Sequence, residues 1–348
     1  MLRYEQYSVA LISALPIEIL AVELLLDRVH KKDVLIRGGS NLYTLGSICN
    51  HNVVVTCLPS GGYGTNSAAK VVTEMRSKFQ SIHYGLLIGV AGGAPSPKHD
   101  IRLGDVVVSK PERGKGGVFQ YDFFKDHPNG TQENIGFLDK PPNVLLSAVN
   151  SVCKNHLQGN SQAPPFADYI ARICKTRPEF CAPGPAQDIL FKPDYHHDPT
   201  EDTCSTCIAK GGTNIISRPP RGTSNPIVHY GIIGSGNRVV RDGETRDRIA
   251  APHGILCFEM EAAGVLESFP CLVIRGISDY SDSHKNKAWQ PYAALAAAAY
   301  AKELLSRTKG AISLIERDEE FLELVSGSST TPDTWNGHQA MPQRFWWL

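Results

Sequence analysis

The sequence predicts an α/β fold with a central mixed sheet, helices on both faces of the sheet and one long insertion. Short apolar runs, each too short for a helix, are followed repeatedly by a glycine-rich loop and a segment with helical spacing. Residues 288–305 are rich in alanine, which predicts a helix packed closely on the sheet. A chain of 348 residues can bury a core of this kind in one domain without disulfides.

The N-terminal part predicts alternating strands and helices. The apolar run 8–13 predicts the first strand, and Pro16 opens a helix over 17–29 that carries Glu18 in its first turn. Further strands are expected at 42–45, 52–58, 84–90 and 105–109, with a helix at 65–79. The last two of these strands are apolar throughout, which is typical of strands covered on both faces.

Proline and glycine cluster between about 111 and 226, and we interpret this stretch as an insertion with one clear helix near 142–157. Regular pattern then resumes, with strands at 227–233, 256–260 and 271–277 and helices at 261–267 and 288–305. We therefore expect one domain over 1–310, followed over 311–348 by a short amphipathic helix and a flexible tail.

Composition disfavours two classes of partner. Lys and Arg number 35 and balance the 35 Asp and Glu, so no net charge attracts nucleic acid or an anionic membrane. The N-terminus lacks a signal pattern, and no run of roughly 18 apolar residues occurs. Most of the nine cysteines stand singly in apolar runs, as buried thiols do in a reducing compartment. We therefore expect a cytoplasmic protein.

Three glycine clusters follow apolar strands, at 61–64, 89–93 and 234–236. Glycine lets the backbone approach a ligand closely, although any one cluster could be only a tight turn. Together they predict a ligand crevice at the carboxyl edge of the sheet. The candidate residues in these clusters are Gly62, Val90, Ala91, Gly92 and Ser235. The spacing matches neither a dinucleotide-binding fingerprint nor a Walker phosphate loop.

Two carboxylates, Glu261 and Asp279, stand at the ends of apolar strands. A carboxylate in such surroundings is costly unless it binds something. The alternative interpretation is that each one caps the turn or helix that begins beside it.

Five motifs carry a resemblance to a known family. They are ISALPIE (12–18), SGGYG (60–64), GVAGG (89–93), GIIGSGN (231–237), and EME (259–261) paired with SD (278–279). The chain resembles the nucleoside phosphorylase/uridine phosphorylase superfamily over roughly 7–110 and 227–306. It is most similar to the nucleosidase branch and to fungal members that occur as domains of immune-receptor-like proteins. The resemblance implies a three-layer α/β/α fold, with 1–310 as the catalytic domain.

The resemblance also implies roles in breaking a purine N-glycosidic bond. Asp279 corresponds to the acid that protonates purine N7, with Ser278 orienting it, and such an acid must carry its proton near neutral pH. Glu261 corresponds to the residue that accepts the ribose hydroxyls, and Met260 packs under the sugar. Glu18 aligns with the glutamate that positions the attacking water, although an acidic residue also suits a helix N-terminus.

The first motif has no arginine in its first turn, so hydrolysis is favoured over phosphorolysis. Arg275 could serve either a water network or a phosphate, and Glu259 is assigned to the substrate site. The related nucleosidases carry a base-stacking aromatic where this chain has Val239. Stacking would then come from Phe258, Tyr63 or an insertion residue such as Phe119.

Cations flank the motifs and could accept the phosphates of a nucleotide, although solvated surface arginines are the simpler interpretation. They are Arg113, Lys115, Arg218, Arg221, Arg238, Arg241, Arg246 and Arg248. Some immune-associated relatives cleave ATP to adenine and ribose triphosphate, so ATP is a candidate substrate beside purine nucleosides.

The insertion contains His196-His197 and Cys204-x-x-Cys207, a spacing that suits zinc. The candidate ligands are His196, Cys204 and Cys207, with either histidine eligible as the third. The alternative is a reduced loop without metal. A zinc ion here would be structural, because the glycosidase mechanism requires no cofactor.

The resemblance therefore implies a purine nucleosidase that acts on nucleosides or on nucleotides such as ATP. It also implies a homo-oligomer, because family members assemble as dimers, trimers or hexamers. Two alternatives stay open: a phosphorolytic purine nucleoside phosphorylase, and a signalling module that binds purines without turning them over.

Overall fold

A computed structural model describes residues 2–128, 130–158 and 165–308. The strands are β1 (Val9–Ser13), β2 (Arg28–Leu35), β3 (Leu42–Ile48), β4 (His51–Cys57), β5 (Tyr84–Gly93), β6 (Val106–Ser109), β7 (Val118–Gln120), β8 (Phe124–Asp126), β9 (Gln132–Asn134), β10 (Val228–Ser235), β11 (Ile255–Glu259) and β12 (Cys271–Asp279). The helices are α1 (Pro16–Glu23), α2 (Gly64–Lys78), α3 (Asn143–Gln158), α4 (Pro165–Cys174), α5 (Ser205–Gly211), α6 (Gly243–His253), α7 (Ala262–Leu266) and α8 (Gln290–Leu305). The helix and tail expected over 311–348 lie outside the described residues.

The central sheet is mixed, as predicted, with strand order β11-β10-β6-β12-β5-β1-β4-β3-β2 and β7 paired to β10. Strand β4 is parallel to β1, β1 is parallel to β5, and β5 is parallel to β12. Strand β6 is antiparallel to β12. Strand β11 also pairs antiparallel with the end of β5, so β5, β12, β6, β10 and β11 close into a ring. This closure brings three strand ends together.

Helices cover both faces of the sheet and give the predicted three layers. Apolar residues of α1, α3, α4 and α8 share one core with the sheet, and those of α2 and α7 share the other. Helix α8 is buried from Tyr292 to Leu305. Its alanines bring it so close that a Cβ on Gly276 in β12 would lie 1.8 Å from the carbonyl oxygen of Ala293.

Three local predictions were wrong. Helix α1 ends at Glu23 rather than at 29, and residues 28–35 form the edge strand β2. Most side chains of β2 are exposed, so the strand carries no apolar alternation to identify it. The insertion holds α4 and α5 besides the expected α3, and α4 packs on α8 through Phe166. Helix α6, which contains Pro252, was not predicted.

No helix in the described ranges combines the length and the apolarity that crossing a bilayer requires.

Candidate active site

The candidate site lies where the ends of β5, β11 and β12 meet. In the strand register Gly92 pairs with Phe258 on one side and with Asp279 on the other. A cavity of about 280 Å³ opens at this junction. Its lining includes ten of the residues predicted for the site: Glu18, Val90, Ala91, Gly92, Phe258, Glu259, Met260, Glu261, Ser278 and Asp279.

The three other predicted substrate residues lie behind this lining. Gly62 forms a turn in which its N–H donates to the carbonyl of Pro59 at 2.8 Å. The buried hydroxyl of Ser235 accepts the N–H of Ala263 at 2.9 Å and so supports the start of α7. Arg275 is fully buried and reaches the site through its ion pairs.

Asp279 is the last residue of β12 and is 4% exposed. The hydroxyl of Ser278 donates to its Oδ2 at 3.0 Å, and the N–H of Ser281 donates to its Oδ1 at 3.0 Å. The ammonium of Lys285 lies 3.2 Å from Oδ2. Three donors therefore hold the carboxyl group at the cavity wall, and the Ser278 hydroxyl is one of them.

Glu18 reaches back over the N-terminus of α1. Its Oε2 accepts the N–H groups of Ala14 at 2.8 Å and Leu15 at 2.9 Å, and its Oε1 accepts the N–H of Val90 at 2.7 Å. Burial raises the pKa of Glu18 although the Arg275 guanidinium opposes the shift. Glu18 thus caps the helix and lines the cavity at once, so the two interpretations from sequence are compatible.

Arg275 joins two further carboxylates beneath the cavity. Its Nη2 hydrogen-bonds Glu259 and lies 3.4 Å from Oε2 of Glu261. Glu259 also accepts the N–H of Ala262 at 3.0 Å, at the start of α7. Burial raises the pKa of Glu261 to about 7, against the opposing Arg275 and with help from the negative charges of Glu259 and Glu18. The guanidinium is therefore committed to carboxylates.

Glycine is required at position 92. A Cβ there would lie 2.1 Å from the Ser281 hydroxyl oxygen and 2.6 Å from Oδ1 of Asp279. A side chain at position 92 would clash with these atoms. The glycine therefore allows the Asp279 carboxylate, at the end of β12, to lie directly against β5.

The aromatic residues that were predicted to stack on the base lie in two different places. Phe258 and Tyr63 line the cavity, as does Val239. Phe119 instead stacks on His253, with ring centroids 4.0 Å apart, outside the lining. Tyr121 lines the cavity and was missed, because nothing in the sequence of the insertion distinguishes it from Phe119.

Most of the flanking cations are engaged elsewhere. Arg218 and Arg221 pair with Asp188 at 3.0 Å and Asp105 at 2.6 Å. Arg238, by contrast, lines the cavity. Other lining residues that the sequence did not suggest are Ala14, Leu15, Val240, Ser281, Lys285 and Gln290.

The candidate zinc ligands are not part of this cavity lining, and the histidine beside the two thiols is His197 rather than His196. His197, not His196, faces the thiols, with its Nδ1 3.2 Å from Sγ of Cys207 and 3.9 Å from Sγ of Cys204. His196 points to Asp242 at 3.9 Å, and its side chain is 56% exposed. Adjacent residues of an extended loop face opposite ways, which the sequence alone did not resolve.

The sequence profile of the phosphorylase superfamily matches residues 8–308. A nucleotide-binding leucine-rich repeat (NLR)-like protein of Hyaloscypha variabilis is 41% identical over 302 residues, which cover 86% of this chain and 29% of that protein. An ATP nucleosidase, Cap17 of Escherichia coli, is 40% identical over 78 residues, which cover 21% of this chain and 15% of that protein. The chain thus spans less than a third of the length of these relatives.

Solved structures share the fold. Futalosine hydrolase of Helicobacter pylori is 17% identical with a TM-score of 0.54, over 87% of this chain and 99% of that one. The 5′-methylthioadenosine/S-adenosylhomocysteine nucleosidase of the same organism is 17% identical with a TM-score of 0.54, over 86% of this chain and 98% of that one.

Proposed function

The chain belongs to the phosphorylase superfamily, and from this premise we propose that it is an N-glycosidase that hydrolyses purine nucleosides to free base and ribose. One observation carries the proposal: the side chains of Glu18, Glu261 and Asp279, from three distant segments, line one cavity. Cleavage of a purine N-glycosidic bond needs an acid for the departing base, an anchor for the sugar and a positioned nucleophile. Three buried carboxyl groups supply these functions.

The proposed roles are those that the resemblance to the family implies, and the contacts of each group support them. Asp279, oriented by Ser278, gives a proton to purine N7 as the glycosidic bond breaks. Glu261 accepts the ribose hydroxyls through a carboxylate whose other neighbour is Arg275, and Met260 packs under the sugar. Glu18 accepts a hydrogen bond from the attacking water, directs its oxygen at the sugar carbon and takes up the proton that the water loses when the new C–O bond forms. Negative charge on Glu261 and Glu18 also stabilises the cationic sugar of the transition state.

Hydrolysis is supported over phosphorolysis by the charge around the site. A phosphate nucleophile needs free cations, and Arg275 is committed to Glu259 and Glu261. Lys285 is paired with Asp279, which leaves Arg238 as the unpaired basic residue in the described lining. Glu18 and Glu261 would repel a phosphate dianion, whereas both carboxylates accept hydrogen bonds from water.

Nucleotides such as ATP are the second candidate substrates. Arg238 lies at the cavity, and a guanidinium binds phosphate oxygens well. The similarity to a protein named as an ATP nucleosidase also supports a nucleotide substrate. A phosphate chain on the 5′ carbon would extend towards Arg238, whereas a nucleoside would leave this arginine in solvent.

A substrate panel tests the proposal. The purified chain is incubated with adenosine, inosine, guanosine, uridine, AMP and ATP, with and without phosphate, and the free base and the sugar product are separated by chromatography. We expect purine release without phosphate, abolished in Asp279→Asn and retained in Asp139→Asn, the same change at an exposed loop position. Ribose 1-phosphate formed only with phosphate would identify a phosphorylase. Purine binding without release would identify a sensor. Sedimentation of the same preparation tests the predicted homo-oligomer.

A further inference from the structure

A second cluster of reactive side chains lies in the insertion and against the loop that follows β12. His197, Cys207 and His284 each place one nitrogen or sulfur within 4.8 Å of the others. Cys204, three residues before Cys207, lies 3.9 Å from the same His197 nitrogen through its thiol. Two imidazoles and one thiol thus converge, and the Cys204 thiol lies beside one of the imidazoles.

His284 gives the strongest sign that the cluster holds a ligand. It is 6% exposed, and neither of its ring nitrogens forms a hydrogen bond; the nearest carboxylate oxygen to its Nδ1, Oδ1 of Asp282, lies 3.8 Å away. It stacks on Phe191 with ring centroids 3.8 Å apart, and on Tyr195 at 5.5 Å. A buried polar group without a partner costs free energy that a bound metal ion would recover.

The hydrogen bonds of His197 favour the tautomer that a metal requires. Its Nε2 lies 2.9 Å from the carbonyl oxygen of Glu201, and only a protonated Nε2 can donate there. The lone pair then sits on Nδ1, the nitrogen that faces both thiols. Zinc-bound histidines usually donate their other ring N–H to a carbonyl or carboxylate in this way.

We propose that His197, Cys204, Cys207 and His284 bind one Zn²⁺ ion as a tetrahedral structural site. Standard zinc–sulfur and zinc–nitrogen bonds place a sulfur and a nitrogen ligand roughly 3.5 Å apart. The two separations from His197 Nδ1, 3.2 Å to Cys207 and 3.9 Å to Cys204, lie on either side of that value. Binding releases both thiol protons to solvent, so two thiolates neutralise the charge of the ion.

The metal would fasten the insertion to the loop that follows the candidate acid. His284 directly precedes Lys285, which pairs with Asp279. The N–H of His197 donates to the hydroxyl of Ser283 at 2.9 Å, and the thiol of Cys204 donates to the carbonyl of His284 at 3.5 Å. The first of these bonds would persist when zinc binds, whereas the second would be lost with the thiol proton and replaced by the metal–ligand bonds. The site itself is independent of the proposed reaction.

Metal analysis tests the site. The full chain, purified without a nickel column or a chelator, should contain one equivalent of zinc by mass spectrometry. Replacement of zinc by Co²⁺ should give the visible bands of tetrahedral cobalt with thiolate ligands. Cys207→Ser and His284→Gln should lose stoichiometric zinc, whereas the matched controls Cys181→Ser and His196→Gln should keep it.

The zinc content and the Co²⁺ spectrum of the unmodified chain test the site even if the variants fail to fold. A chain that is free of zinc as purified, binds neither ZnCl₂ nor CoCl₂ at micromolar concentration and shows reactive thiols at both cysteines would overturn the proposal. A Cys204–Cys207 disulfide, or loss of zinc in His196→Gln with retention in His284→Gln, would overturn it as well.

Discussion

The ammonium nitrogen of Lys285 lies 3.2 Å from Oδ2 of Asp279, at the wall of the cavity that both residues line. The lysine arrives from the loop after β12, six residues beyond the carboxylate. A charge-assisted contact of this length holds a carboxyl group more firmly than a neutral hydrogen bond does. Lys285 is therefore a positioning residue for the candidate acid, together with the Ser278 hydroxyl and the Ser281 N–H.

Lys285→Gln should lower kcat. Without the ammonium, the Asp279 carboxyl group loses one of the three contacts that hold it at the cavity wall. A displacement of about 1 Å at a catalytic group can cost about 10²-fold in rate, so we expect kcat to fall by up to about 10²-fold. Steady-state rates with the best substrate measure this. Lys287→Gln, an exposed lysine two residues on, is the control and should keep the rate of the unmodified chain. Equal kcat values in Lys285→Gln and the unmodified chain contradict the positioning role of Lys285.

Glu18→Gln should abolish most of the hydrolysis while substrate still binds. The amide cannot accept all three N–H groups of Ala14, Leu15 and Val90 and still direct a water molecule. We expect kcat to fall by about 10²–10⁴-fold with a smaller change in KM. Glu179→Gln removes an exposed glutamate and serves as control. Equal kcat values in Glu18→Gln and the unmodified chain would remove the water-positioning role.

Substrate binding should weaken as the pH falls through about 7. Burial places the pKa of Glu261 at about 7, so below that pH its carboxyl group gains a proton and loses acceptor capacity for the ribose hydroxyls. KM should rise as pH falls. Glu261→Gln, which cannot titrate, should show a high KM that no longer depends on pH in this range. A KM of the unmodified chain that is flat across the same range would contradict the assignment.

Gly92→Ala should impair catalysis more than stability. The added methyl group would meet Ser281 and Asp279 within 2.6 Å, and the loop after β12 must move to accommodate it. A displacement of about 1 Å at a catalytic group can cost about 10²-fold in rate. Gly136→Ala is the matched control, since its nearest neighbour is 3.5 Å from the added carbon. Full activity of Gly92→Ala would show that the carboxylate position is not critical.

Gly276→Ala should destabilise the fold. Its Cβ would lie 1.8 Å from the backbone oxygen of Ala293, and the buried helix α8 cannot retreat without opening the core. We expect a loss of about 1–3 kcal/mol in the free energy of unfolding. Gly222→Ala meets nothing within 4 Å and should change it by less than about 0.5 kcal/mol. Denaturant titration of both variants distinguishes the two cases, and equal midpoints would contradict the packing argument.

Local pattern was sufficient for most of the fold. The strand expected at 84–90 is β5 and the helix at 65–79 is α2, because an apolar run or a helical period is written in neighbouring residues. The edge strand β2 and the helix α6 escaped prediction for the same reason. The first exposes most of its side chains, and the second has a weak apolar face interrupted by Pro252.

The residues of the candidate site were predicted or missed for the same reason. Motif residues such as Glu18, Glu261 and Asp279 were recognisable one by one, and the structure places them around one cavity. Tyr121 and Lys285 were not, because each enters the lining from a loop whose direction depends on distant packing.

The sequence by itself determined the order of most elements of the sheet, the family motifs and the identities of the three candidate carboxyl groups. Each of these properties depends on residues within a few positions of one another. Only the tertiary structure decided that Arg275 is committed to Glu259 and Glu261, and that His284 joins His197 rather than His196 beside the thiols. Those contacts join segments far apart in the chain. They follow from the closure of β11 onto β5 and the packing of the insertion, which no local pattern encodes.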